Sequence, residues 1–153
     1  MERLESLRGI IGEILDGTEN LEDRRSGLVH LYGVSAAAAL LALRRGQDAE
    51  LAAVAGMLHD LATYETGMSD DHATRGARRA SEVLRSLGAF TDVEIEAVRS
   101  AVAHHSDKAA VHDAFSELLK DADVLQHFLS DPGAPPLGPH AARREALRQE
   151  LGL

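Results

Sequence analysis

Cysteine and tryptophan are absent from the 153 residues, and the aromatic set amounts to two Tyr and three Phe. Without thiols there are no disulfides, no cysteine-ligated zinc, no iron–sulfur cluster and no thiol nucleophile, so any metal must be held by nitrogen and oxygen. Cations are scarce as well: 16 Lys+Arg stand against 25 Asp+Glu, a formal net charge of −9, and Lys108 and Lys120 are the only lysines. That balance, with so few rings to stack on, argues against a general nucleic-acid binder. The opening segment MERLESLRGIIGEILDG is amphipathic and acidic, so neither a signal peptide nor a membrane span is expected there, and the protein reads as cytoplasmic. Proline is confined to DPGAPPLGP, which is expected to be non-helical.

What is abundant is Ala (25) and Leu (22), against 18 for Val, Ile and Thr together, a balance that favours helix over sheet. One domain with a real core is the expectation at this length. Gly, Pro and Asp/Ser clusters divide the chain into helical segments near 1–15, 21–45, 49–64, 72–87, 91–104, 112–129 and 140–151. The reading is all-α, a bundle of about six to seven helices with its core over 25–129, and with 1–17 and 140–151 as flanking elements. The last helix is expected to dock on the surface or on a partner, and a homodimer is compatible with that.

The informative anomaly is His59-Asp60, which closes the most apolar helix, LAAVAGML. An ionised Asp there costs several kcal/mol unless a metal ion, an Arg or a group of N–H donors compensates it. His30 interrupts a second apolar helix, LVHLYGVSAAAALLAL, and Asp123 a third, LLKDADVLQHFL. Three helices burying one apolar stripe each would bring His30, His59, Asp60 and Asp123 around one point. Two imidazoles and two carboxylates suit Fe, Mn, Co, Ni or Zn, with Mg also compatible. Taken singly, each residue has an ordinary structural use, a satisfied core histidine or a salt-bridged helical Asp; together they point to a metal.

This order and helical context resembles the H…HD…D signature of the HD-domain metal-dependent phosphohydrolases, over most of the chain. The resemblance implies an all-helical bundle that binds one divalent ion through the four residues. It further implies phosphomonoester or phosphodiester hydrolysis, commonly of nucleotides, with metal-activated water as nucleophile and Asp60 and Asp123 as catalytic residues. His72 in HATRGARRASEVLRSLG and His105 in AVAHHSDK are similar to histidines that hold a second metal in some branches, including the one acting on diadenosine polyphosphates. They are candidates for a second ion or a phosphate contact, with His104 as the less favoured neighbour.

Other residues carry smaller expectations. Asp121 and Asp123 lie on different faces of one helix, so one of them faces the metal, and the resemblance favours Asp123. His127, one turn beyond Asp123, is a candidate substrate contact, as are Lys108, Lys120 and Arg25; Arg75, Arg78 and Arg79 read as a solvated face. Glu65, Asp70, Asp71, Lys108 and His127 are candidates for the general acid by location. Two further classes stay open: a di-iron oxygenase, as for a few HD-type proteins with extra histidines, and a non-catalytic metal- or nucleotide-binding regulatory module.

Overall fold

The computed structural model describes residues 2–153. Among these are eight helices and no strand: α1 Glu2–Asp16, α2 Leu21–Arg45, α3 Ala49–Leu58, α4 Leu61–Thr66, α5 His72–Leu87, α6 Asp92–His104, α7 Ala114–Ser130 and α8 Pro139–Leu151. Side-chain oxygens of Asn20, Asp48 and Asp113 accept the first backbone N–H groups of α2, α3 and α7, and Thr91 with Glu94 forms a capping box on α6. Pro139 opens α8, where a missing N–H breaks no helical bond. The rest of DPGAPPLGP is non-helical, as expected.

Helix α3 is the centre of the bundle, with every residue from Leu51 to Leu58 buried. Helix α2 packs against it and against α7, and the α5–α6 pair covers another side. The α2–α3 crossing is close: a Cβ on Gly56 would lie 2.7 Å from Ser35 Cα, so only glycine permits it. Helix α1 seals the bundle with Leu7, Ile11 and Leu15, all at 0 % exposure, and α8 docks on α7. By length and composition α2 is the one helix among the described residues that could cross a membrane; half of its apolar window is buried, and it carries His30 into the interior.

The segmentation departs from expectation at one place. Instead of one helix over 49–64, the chain makes α3 and α4, with a turn at Asp60 (φ −118°, ψ 10°). Local preference gives no hint of this, since Leu and Ala dominate the segment. Tertiary packing accompanies it: α5 presses so close that a Cβ on Gly76 would lie 2.8 Å from the His59 carbonyl oxygen. In an unbroken helix neighbouring side chains diverge by about 100°. Here the turn accompanies an Asp60 Oδ2 placed 3.3 Å from His59 Nε2.

Candidate metal centre

One imidazole from α2 and two from the residues that cap the C-terminal ends of α3 and α6 have their outer nitrogens already committed. His59 Nδ1 donates to the Gly56 carbonyl and His105 Nδ1 to the Val102 carbonyl, each at 2.7 Å. His30 Nδ1 lies 2.8 Å from Gln126 Oε1, and the Gln126 amide is oriented by its own donation to Ser130 Oγ. With Nδ1–H used, each ring turns an Nε2 lone pair inward, the arrangement in which histidine binds metal. His30 Nε2 and His59 Nε2 then face each other at 3.1 Å. Two lone pairs at that distance require a positive charge beside them.

The carboxylates state the same need. Asp60 Oδ2 lies 3.4 Å from His30 Nε2, and Asp123 Oδ1 lies 3.5 Å from the same atom. Asp60 Oδ1 and Asp123 Oδ1 are buried with no hydrogen-bond partner among the described residues, which is costly unless an ion satisfies them. Burial pushes the Asp60 carboxyl up, but the surrounding imidazoles of His59, His105 and His30 outweigh it and hold Asp60 well below the usual carboxylate range. Asp123 is likewise buried, yet His127, His59 and Lys108 hold it low. His30, His59 and Asp60 form a group whose ligand atoms all lie within 4.8 Å of one another, and Asp123 joins it through His30. These residues fit a divalent cation: a single ion would answer the facing lone pairs and the orphaned oxygens together.

Asp60 faces two ways. Its Oδ1 lies 3.2 Å from His105 Nε2 and 4.0 Å from His72 Nε2, so Asp60, His72 and His105 make a second potential ligand group sharing one carboxylate with the first. A third group joins His30, Asp123 and His127; His127 Nε2 is 3.4 Å from Asp123 Oδ1, while its side chain stays 59 % exposed. The Asp123 carboxylate beside it raises the His127 pKa against the opposing effect of burial.

The structure thus gathers His30, His59, Asp60, Asp123, His72, His105 and His127, and leaves others out. His104 stacks on His112 at 3.9 Å between ring centroids and reaches Ser116, because consecutive residues at the end of α6 point to different sides. Lys120 is not available to a substrate: at 0 % exposure, its Nζ donates to the Ala110 carbonyl and to Glu117 and contacts His112. Arg25 is exposed on α2, while its neighbour Arg24 ties down the Asp16 and Thr18 carbonyls after α1. Glu65 is held by Arg79 in a two-pronged ion pair. Asp121 faces away from the centre, toward Arg45 and Arg143. Lys108 is at the centre, buried and donating to Asp123 Oδ2 at 2.7 Å and to the His105 carbonyl.

Sequence reasoning missed Gln126 and Tyr64. Gln126 follows Asp123 by three residues and so shares its helix face, the one signal that could have marked it. Tyr64 packs its ring 6.2 Å from that of His30, and burial, with the Asp60, Asp123 and Asp23 charges, pushes its phenol up to about 12. It therefore stays neutral beside the centre.

No curated protein and no solved structure shows significant similarity to the chain. The HD domain family model matches residues 27–127, from the turn before His30 to His127. That span holds every residue of the centre and covers well over half the sequence, so this chain belongs to the HD domain family.

Proposed function

We propose that the chain is a metal-dependent phosphohydrolase that cleaves a phosphomonoester, or a phosphoanhydride or diester bond, in a small nucleotide-like substrate. The HD domain family is generally one of metal-dependent hydrolases, and the buried His/Asp groups suit a metal ion. One observation carries the reading: inward Nε2 lone pairs and two carboxylate oxygens with no partner among the described residues converge in a centre whose lysine ammonium, Lys108, is already bonded.

In this reading His30, His59, Asp60 and Asp123 hold the ion. A divalent ion in such a site supplies charge neutralisation to a phosphoryl group and lowers the pKa of a bound water. Gln126 and the Gly56 carbonyl keep the His30 and His59 rings in the ligating tautomer. Lys108 occupies Asp123 Oδ2 and leaves Oδ1 to face the centre. His72 and His105, on the far oxygen of Asp60, hold a second ion or receive a phosphate oxygen. His127, part-exposed and with its pKa raised by Asp123, is placed to give the leaving group its proton.

Metal analysis of the purified protein followed by a phosphate-release screen over nucleotides, dinucleoside polyphosphates and sugar phosphates tests this. Asp60→Ala should lose both metal and turnover; full activity in that variant would sink the assignment. The shared Asp60 between two ligand groups also suits a di-iron oxygenase. That second reading requires oxygen consumption with no phosphate release, and anaerobic turnover excludes it.

A further inference from the structure

Beside the centre, and built mostly from residues outside the family-matched segment, is a pocket of about 360 Å³ between the end of α7, the 131–138 loop and the start of α8. Its volume falls in the range of small-molecule sites. The walls are largely apolar, Val124, Phe128, Pro135 and Leu137, and His127 and His140 stand on them as well. His127 belongs to both places: it lines this pocket and lies 3.4 Å from Asp123 Oδ1. The pocket therefore opens directly onto the Asp123 side of the centre.

The charged groups around it are few and one is spent. Arg144, the only guanidinium on the wall, lies over the Phe128 ring at 4.1 Å and donates to the Ala134 and Pro132 carbonyls. It braces the proline-rich loop and stiffens the apolar wall. Asp131 adds a negative charge, which disfavours a polyphosphate tail. We propose that this pocket is the leaving-group subsite of the enzyme, and that it selects a phosphate monoester whose alcohol carries a flat apolar ring over a ring-free or polyphosphorylated ester. The inference rests on the phosphohydrolase reading for the position of the phosphate.

Binding of 1-naphthylmethylphosphonate and of methylphosphonate to the metal-loaded protein, followed by calorimetry, tests the subsite without turnover. The ring compound should bind at least about tenfold more tightly, the gain expected for burying one ring. Ala134→Trp, which fills the pocket from its loop, should bring the ratio of the two affinities close to one. Leu137→Glu, at a position 77 % exposed, should do the same and serves where Ala134→Trp lowers Tm. Equal binding of the two phosphonates by the unaltered protein, or an unchanged ratio in the folded variants, overturns the subsite. A retained ring preference with no phosphate release from 1-naphthylmethyl phosphate or any other ester overturns the phosphohydrolase reading instead, and leaves the pocket as a ring-binding site.

Discussion

Two aspartates on α7, two residues apart, have opposite surroundings. Asp121 is answered on both oxygens: Arg143 reaches Oδ1 at 2.9 Å and Arg45 reaches Oδ2 at 2.8 Å, while those arginines also hold Glu117 and Glu150. The result is a clasp joining α2, α7 and α8. Asp123 has one oxygen on Lys108 and leaves the other buried among imidazoles with no donor. A carboxylate whose task is structural is given guanidinium forks that satisfy it. One kept for an ion is left unsatisfied by the protein, and the imbalance marks the site.

Substitutions at the two positions should therefore fail differently. Asp123→Asn removes a ligand, so turnover should fall by more than the roughly 10–100-fold that outer-sphere changes cost. Metal content should fall with it, and the rise in Tm that metal gives the unaltered protein should vanish. Asp121→Asn should keep metal and turnover but lose about 2 kcal/mol of stability, because it leaves two partly buried arginines short of a counter-charge. In a domain of this size that is a drop of roughly 4–8 °C in Tm. Thermal melts with and without chelator, beside metal analysis, separate the two; an Asp121→Asn protein that loses its metal would erase the distinction.

Much of this contrast was legible in the sequence, and the rest was hidden for definable reasons. His30, His59, Asp60 and Asp123 stood out because each interrupts an apolar helix, where a polar residue needs an explanation. Asp121 and Asp123 could be assigned to different faces from the helical repeat alone. The break at Asp60 could not, because Leu51 to Ala62 favours helix locally and the turn depends on how α5 packs over His59. Lys120 read as a substrate contact because sequence shows a charge but not its partners; burial beside Glu117 and His112 is a tertiary fact. The pocket beside His127 was hidden for the same reason, since proline in DPGAPPLGP announces a loop and says nothing of what the loop covers.

A residue one step away from the ligands also governs the centre. Gln126 touches no phosphate or metal position; it accepts from His30 Nδ1 and so decides which nitrogen His30 turns inward. Gln126→Ala should lower metal affinity by about 10–100-fold with little change in the metal-free melt. Gln126→Glu keeps an acceptor at that place and should restore most of the affinity. If Ala and Glu behave alike, the glutamine serves packing, for which its contact with Gly33 is the alternative ground.

The smallest effect belongs to the clasp and is read through pH. Burial raises the Glu117 carboxyl, but the Lys120 ammonium, the His112 backbone N–H and Arg143 outweigh it and bring it down to about 2, from an ordinary 4.5. A carboxyl depressed by folding contributes stability that is present above its unfolded value and is lost as the pH falls toward its folded one. The window for Glu117 is therefore between about 4.5 and about 2, where the unfolded chain takes up the proton first. Because Glu117 is partly exposed, the contribution is discounted to roughly 1–2 kcal/mol. Glu117→Gln should flatten that part of the stability curve while leaving metal binding at neutral pH intact. An unchanged acid slope would mean that Lys120 and Arg143 stabilise the unfolded carboxylate as well as the folded one, and that the clasp, unlike the centre, is indifferent to its charges.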